Sequence, residues 1–186
     1  KMMNKGEYDK VLPKIEETYG KDTLNKDRLN LLYNYYISDK NIDRDSLVAL
    51  SYAQQYNKID KKNPISTSEL AKSDLSYVYK SKDIQRINFY ISITEDYPTL
   101  NKEARRIRDQ WAYEQVKQSN DIKQYEDFVK NYPDALQVDE AKQWLNETVM
   151  DKIIHSGNID SLKVFASTTT SDTFRKKALD EIDRLS

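Results

Sequence analysis

Several pairs of neighbouring acidic residues occur in this sequence of 186 residues. Two carboxyl groups held close together can act as a general acid and a general base, so such a pair is a candidate for catalysis. We consider three of them: Glu16–Glu17, Asp139–Glu140 and Asp180–Glu181. Adjacent residues on a helix point in different directions, and therefore no pair forms a catalytic dyad unaided. We interpret all three pairs as solvated helix surface.

The sequence offers no convincing site for a metal ion or a cofactor. The segment Asn41-Ile42-Asp43-Arg44-Asp45 has alternating oxygen ligands like the start of a calcium loop, but it lacks the glycine and the closing glutamate. The single histidine, His155, lies near the end of a predicted helix, where a polar cap is favourable. The chain has no cysteine, no glycine-rich phosphate loop and no paired-histidine motif. We predict no catalytic residue, no metal and no cofactor.

The densest basic cluster lies between residues 102 and 108 and consists of Lys102, Arg105, Arg106 and Arg108. On one helix these side chains fan over more than half of the circumference, which is typical of a solvated face. The alternative is a docking patch for an acidic peptide or a phosphate group, because guanidinium groups bind both in bidentate geometry. Arg105 and Arg108 are the candidate residues for that role.

Tyrosine is the most unusual part of the composition, with 14 residues. Tyrosine is common at binding hot spots because it buries a large area and few rotatable bonds are frozen. Four tyrosines fit the packing stripe of the repeat described below, and we assign them to the core: Tyr90, Tyr97, Tyr125 and Tyr132. The less regular first half contains Tyr35 and four further tyrosines: Tyr33, Tyr36, Tyr52 and Tyr56. Core packing is favoured for these too, but they are the candidate binding residues if the fold leaves an open groove.

Charge and composition exclude several classes of protein. The 30 Lys and Arg residues against 31 Asp and Glu residues give a net charge of −1, which argues against nucleic-acid binding as the main role. Three glycines are too few for the turns of β-hairpins, and the remaining composition favours helix, so we predict an all-α fold. No apolar stretch approaches the roughly 20 residues that span a bilayer. Because the chain starts at Lys1 rather than at Met, we expect that a preceding segment, such as a signal or lipoprotein peptide, has been removed.

Internal repeats of about 37 residues organise the second half of the chain. Two stretches, 83–98 and 121–133, open with Asp-Ile and close with Tyr-Pro. A third copy opens at Asn158-Ile159, and Phe165 in it follows Phe128 by 37 positions. Weaker openings near residues 5 and 42 extend the pattern upstream. We predict a single repeat domain of five helix-pair units, at 5–41, 42–82, 83–120, 121–157 and 158–186.

The fourth unit shows how the sequence forms a helix pair. Apolar residues recur at three- and four-residue steps up to Tyr132, and Pro133 then stops the first helix. Asp134 is the predicted cap of the second helix, with Gln137 as its capping-box partner, and Gly157 is the predicted stop. Ala104 and Ala141 are small where two helices are expected to cross. The predicted helices cover 6–18, 24–38, 44–58, 67–80, 84–96, 101–117, 121–131, 136–155, 159–167 and 172–184.

The stretch from Tyr125 to Pro133, followed by Glu140-Ala141-Lys142-Gln143-Trp144-Leu145, resembles a tetratricopeptide-type repeat. It is most similar to the variant in bacterial cell-envelope proteins whose first helix ends in Tyr-Pro, as in outer-membrane-assembly lipoproteins of the BamD type. It departs from the common consensus in its longer period, in lacking the Gly-Tyr pair, and in having Pro13 inside the first predicted helix. The resemblance implies a right-handed superhelix of antiparallel helix pairs, a tetratricopeptide-like α-solenoid whose concave face binds peptides or proteins. It implies no catalytic residues.

We therefore predict a non-enzymatic scaffold module that binds a protein or peptide partner and neither binds nucleic acid nor spans a membrane. The alternatives are a sensor or spacer segment of a longer cell-envelope protein, a nucleic-acid-binding helical repeat, and an enzyme or small-molecule binder, which a closed pocket lined by tyrosines and a buried carboxylate would indicate. A periplasmic or cell-envelope location is expected from the Tyr-Pro variant, with the cytoplasm as the alternative.

Overall fold

A computed structural model describes residues 2–3 and 6–186, and these residues form ten α-helices without a β-strand. A short 3₁₀ turn at Tyr8–Lys10 precedes the first helix. The helices are α1 Val11–Tyr19, α2 Lys26–Ile37, α3 Ser46–Ile59, α4 Ser68–Ser81, α5 Ile84–Ile93, α6 Pro98–Ser119, α7 Ile122–Asn131, α8 Val138–Ser156, α9 Ile159–Thr168 and α10 Asp172–Leu185. The predicted all-α class is confirmed. Because α1 begins at Val11, Pro13 lies in its first turn, where a missing amide hydrogen costs no helical bond.

Helices α4, α6 and α8 end in the same three-residue turn, a serine, a left-handed residue and an Asp or Asn. In the first of these turns Ser81 Oγ donates to the Val78 carbonyl at 2.7 Å, and Lys82 has a φ of 51°. Asp83 then caps α5 by accepting two amides of its first turn. The other two turns keep these features, with φ values of 51° and 62° at their central residues: Ser119–Asn120–Asp121 and Ser156–Gly157–Asn158. The recurring Asp-Ile and Asn-Ile pairs of the sequence are thus helix starts, and the predicted stop at Gly157 is confirmed.

The two Tyr-Pro pairs differ in structure. Pro98 is the first residue of α6, whereas Pro133 opens a turn that runs to Gln137. Tyr132 is the C-cap of α7, so the predicted end of that helix is confirmed. The predicted cap at Asp134 is wrong, because two successive backbone turns, Ala135 to Tyr132 and Val138 to Ala135, delay the start of α8. Gln137 occupies the N-cap position and makes no side-chain cap bond.

The segment interpreted as the opening of the second repeat does not begin a helix. Helix α3 starts at Ser46, and its cap is Asp45, which accepts the first two free amides. Asn41 is buried instead and donates from Nδ2 to the Tyr35 carbonyl at 2.8 Å. Ile42, which the repeat pattern aligns with partly buried isoleucines, is 97% exposed. The loop before α3 is therefore built differently from the three turns of the second half.

The helices form two compact units, Lys1–Arg108 and Asp109–Ser186, and the boundary falls inside α6. In the first unit consecutive helices from α1 to α5 pack on each other, and α3 also contacts α5. The core of this unit contains residues with almost no exposed surface: Leu29, Leu47, Leu50, Ala71, Val78, Ile87 and Ala104. Gln54 of α3 strengthens the contact with α5 by donating to the Ile93 carbonyl at 3.1 Å.

In the second unit, α7 packs on α8, and α9 and α10 both contact α8. One core cluster joins Tyr113 of α6, Phe128 of α7 and Ala141 of α8. The ring of Tyr125 stacks on Trp144 with centroids 3.8 Å apart and planes 10° apart. A second cluster lies around α8, α9 and α10: Met150, Leu162, Phe165, Ala166, Phe174 and Ala178. Both predicted crossing-point alanines, Ala104 and Ala141, are fully buried in their units.

Candidate functional site

Two of the four candidate tyrosines lie together. The rings of Tyr36 and Tyr52 stack with centroids 5.8 Å apart and planes 19° apart, and both pack against a core cluster that includes Tyr35. Tyr56 is half-buried, with its hydroxyl 3.4 Å from Asp60 Oδ2, and Tyr33 is half-buried on α2. All four tyrosines are therefore only partly exposed, and their role in binding remains a prediction.

The candidate arginines are set on the surface of α6. Arg105 is exposed, and its Nε donates to Asn101 Oδ1 one turn earlier at 2.9 Å. Arg108 is half-buried, whereas Arg106 and Lys102 are exposed. Asn101 itself donates to the Ile91 carbonyl at 2.7 Å, so Arg105 is tied to a buried polar contact. The docking role of Arg105 and Arg108 remains a prediction.

The tyrosines assigned to the core fall into two groups. Tyr90 and Tyr125 are buried, and the Tyr90 hydroxyl donates to the Ala71 carbonyl at 2.7 Å. Tyr97 and Tyr132 are half-buried at the helix ends that precede proline. Burial raises the pKa of Tyr90, which stays a neutral hydrogen-bond donor.

The residues considered for catalysis, His155 and the paired carboxylates, lie on helices in ordinary surroundings. The Nδ1 atom of His155 lies 2.6 Å from the Asp151 carbonyl in the last turns of α8. The paired carboxylates lie on exposed or half-buried helix faces. Within residues 2–3 and 6–186, no group of three or more His, Asp or Glu side chains is arranged to hold a metal ion. No helix in this described part combines the length and the apolar composition needed to cross a bilayer.

The first unit contains a group of charges around the buried Asp74 of α4, formed with Asp45 at the start of α3 and Arg86 of α5. Asp74 is 2% exposed, and its Oδ1 accepts a hydrogen bond from Ser46 Oγ at 2.5 Å. Its Oδ2 is buried and finds no partner in the described chain. Arg86 donates to both oxygens of Asp45, so its two terminal nitrogens serve that carboxylate rather than Asp74. Burial raises the pKa of Asp74 to about 6.

An apolar cleft of about 230 Å³ lies in the first unit, between side chains of α1, Leu31 of α2 and the two N-terminal methionines. Its one charged lining residue is Lys14, whose Nζ is paired with Glu17 Oε2 at 2.7 Å. The cleft shares most of its lining with the core cluster beside it.

A larger cleft, of about 440 Å³ and polar in character, opens in the second unit where α6 meets the start of α8. We call it the polar cleft, and its lining residues are Gln110, Tyr113, Glu114, Lys117, Gln118, Gln137 and Glu140. Helix α6 forms one wall because its apolar residues, among them Ala112 and Val116, face the core. The polar residues between them consequently share the open face.

One wall of the polar cleft carries a chain of side-chain hydrogen bonds, which we call the amide relay. Gln110 Nε2 donates to Glu114 Oε1 at 3.0 Å, and Gln137 Nε2 donates to Gln110 Oε1 at 2.7 Å. Gln137 Oε1 is buried and has no hydrogen-bond partner in the part of the chain that the structure describes. A buried acceptor without a donor is costly, and most such atoms in proteins are satisfied by a neighbour, water or a ligand.

The remaining charges of the cleft are paired. Lys117 Nζ lies 3.5 Å from Glu140 Oε1 and 5.5 Å from the centre of the Tyr113 ring. Burial, together with a hydrogen bond to Glu140, raises the pKa of Tyr113, so the phenol stays protonated. The polar cleft therefore offers amides, a phenol and an ion pair, a set that can hold a ligand but contains no activated nucleophile.

Sequence reasoning did not find the polar cleft. A usable signal is the recurrence of Gln110, Glu114 and Gln118 at four-residue steps, which places three polar groups on one face of α6. The sequence pattern assigned Gln137 to a capping box, whereas its side chain donates to Gln110 of α6. Gln137 lies close to Gln110 because α8 starts late, at Val138. Helix propensities do not predict that late start.

Comparisons with models of protein families, with curated proteins and with solved structures give no match for this chain. The geometry of the polar cleft and the amide relay is therefore what supports a function.

Proposed function

We propose that this chain is a non-enzymatic binding module that holds an extended segment of a partner protein in the polar cleft. The observation that carries the proposal is the buried, unpartnered Gln137 Oε1 at a cleft large enough for a few residues of peptide. Carboxamides supply both donors and acceptors, as does a peptide main chain. A ligand of this kind would satisfy the polar wall without bringing in net charge.

The second part of the proposal concerns architecture. We propose that the helix pairs belong to a tetratricopeptide-like superhelix in a bacterial cell-envelope protein, possessing a partner-binding surface along the array. Support comes from the identical turns after α4, α6 and α8, each with its serine, left-handed residue and capping Asp or Asn. Recurrence of one supersecondary unit is what a helical array requires.

A peptide selection tests the proposed function. A display library of random linear peptides is selected against the purified full chain, and the dissociation constants of the recovered peptides are measured by fluorescence anisotropy. In the variant Gln137→Leu we expect binding to weaken about tenfold, because a buried hydrogen bond contributes about 1.5 kcal/mol. The matched control is Gln143→Leu, since the Gln143 amide also donates to another side chain, Glu147 Oε1 at 2.9 Å, but Gln143 lies outside the cleft.

Three results would contradict the proposal. The selection could recover no peptide, or the recovered peptides could bind Gln137→Leu as tightly as the unmodified chain. They could also lose affinity when Tyr36 and Tyr52 are both replaced by alanine and not when Gln137 is replaced. That last result would place the binding surface at the stacked tyrosines of the first unit.

A further inference from the structure

The hydrogen bonds of the amide relay can run in only one direction, because the relay begins at the charged carboxylate of Glu114. A carboxylate accepts hydrogen bonds and cannot donate them, so the amide group of Gln110 must turn its nitrogen toward Glu114. Its oxygen then faces Gln137, whose own nitrogen must donate to it. The oxygen of Gln137 is left as the end of the relay. A glutamine amide without such a neighbour could rotate and present either group.

We infer that Gln137 Oε1 accepts a hydrogen bond from one main-chain N–H of the bound segment, and that Glu114 is the positioning residue that makes Gln137 an obligate acceptor. The inference rests on the proposed function and names the chemical group that the polar cleft recognises.

A neutral donor fits this position better than a charged group. An anionic group would approach Glu114 and Glu140, and it cannot donate to Gln137 Oε1. A cationic side chain would have to leave water for a buried, neutral oxygen, and of the two carboxylates in the cleft Glu140 is paired with Lys117 and Glu114 accepts from Gln110. A main-chain N–H carries no charge and occurs at every residue except proline.

The test is a methylation scan along a peptide recovered by the selection. Each main-chain nitrogen is methylated in turn, which removes one N–H donor and leaves the side chains unchanged. We expect methylation at one position to weaken binding to the unmodified chain about tenfold, the loss of one hydrogen bond to a buried acceptor. In Gln137→Leu the same methylation should change binding less than about twofold, since the acceptor is gone.

The role of Glu114 needs a readout that a purely structural residue would not move. In Glu114→Gln the relay can reverse, so Gln137 no longer has to present its oxygen. We expect the penalty of the critical methylation to fall from about tenfold to about threefold or less, and Glu114→Asp to restore it in part. The matched control Glu147→Gln removes the equivalent charge from the Gln143–Glu147 pair and should leave the penalty unchanged.

The outcomes separate this inference from the proposed function. If Gln137→Leu weakens peptide binding but methylation at no position depends on Gln137, the main-chain contact is overturned while the polar cleft stands. If a Lys or Arg side chain of the peptide, rather than an N–H, couples to Gln137, the inference is also overturned. If Glu114→Gln keeps the full methylation penalty, the positioning role fails. If no peptide binds, the proposed function and the inference fall together.

Discussion

Arg86 on α5 donates hydrogen bonds to both carboxylate oxygens of Asp45, at 3.1 and 3.0 Å, and the two residues lie 41 positions apart in the sequence. The same carboxylate caps α3 by accepting the amides of Leu47 and Val48. Burial alone would raise the pKa of Asp45, but the guanidinium and the two amides together hold it below its usual range. One side chain thus starts a helix and also fixes that helix against another.

Replacement of Arg86 should therefore loosen the first unit. We expect Arg86→Ala to lower the free energy of unfolding by about 1–2 kcal/mol, a value reduced for the partial exposure of both side chains. Arg86→Lys should recover less than half, because an ammonium group lacks the planar fork. Urea denaturation followed by circular dichroism measures both. Arg184→Ala, which removes an exposed ion pair on α10, is the control and should have little effect.

Asp74 should make the stability of the first unit depend on pH. Its folded pKa of about 6 exceeds the ordinary aspartate value of 3.8, so the fold favours the protonated form. The cost of ionisation is absent below about pH 4, grows as the pH rises through 6, and reaches about 3 kcal/mol above that. Ionised Asp74 faces another carboxylate, Asp45, while Arg86 and Arg44 offset only part of the burial cost.

The variant Asp74→Asn should remove this dependence, because the amide oxygen can still accept from Ser46 but cannot ionise. We expect it to unfold at higher urea than the unmodified chain at about pH 7.5, and to lose that advantage near pH 4. Hydrogen exchange of α3 and α4 amides, corrected for intrinsic rates, locates the effect. An equal pH dependence in both proteins would refute it. Asp127→Asn, on an exposed position of α7, is the control.

Glycine should stabilise the repeated turns at positions where the backbone is left-handed. Lys82 has a φ of 51°, a conformation that costs side-chain-bearing residues about 1 kcal/mol. Lys82→Gly should raise the free energy of unfolding by about 0.5–1 kcal/mol, and Lys80→Gly inside α4 should lower it by a similar amount. Gly157→Ala should cost about 1 kcal/mol from backbone strain alone, since no atom lies within 4 Å of the added carbon. Thermal unfolding compares the three, and stabilisation by both lysine variants would contradict the assignment.

Ala141 should tolerate no larger side chain. It is fully buried among residues of α6, α7 and α8, so leucine there must push helices apart. We expect Ala141→Leu to destabilise the second unit by about 1–3 kcal/mol and to shift the fluorescence of Trp144, whose ring stacks on Tyr125. Lys142→Leu, at an exposed neighbouring position, should leave the emission of Trp144 in place.

Helix positions were predictable from the sequence because apolar periodicity and capping residues mark them locally. Asp83, Asp121 and Asn158 were identified as unit openings, and each is an N-cap. The prediction failed where the same dipeptide can be followed by two different backbone structures. Nothing in the pair Tyr-Pro distinguishes Pro98, which starts a helix, from Pro133, which opens a longer turn.

The candidate site could not be predicted for a related reason. Each member of the amide relay, Gln110, Glu114 and Gln137, is an ordinary surface residue in the sequence, and two of them lie 27 positions apart. Their meeting depends on the path of residues 133–137, which is fixed by backbone turns around the buried Ala135. The tyrosines attracted attention because of their number, yet the candidates Tyr36 and Tyr52 pack against a core cluster.

The turn between Tyr132 and Val138 also bears on how such a chain can change length. Seven positions separate Tyr97 from Ala104, whereas nine separate Tyr132 from Ala141, although both alanines are fully buried. The two extra residues are taken up in the turn, where Leu136 is 75% exposed. A change of length is tolerated best beside the exposed Leu136, because surface turns accept insertions, whereas the buried Ala135 has to keep its place. Since Gln137 ends the same turn and donates to Gln110, the length of this turn sets how α8 meets the polar face of α6.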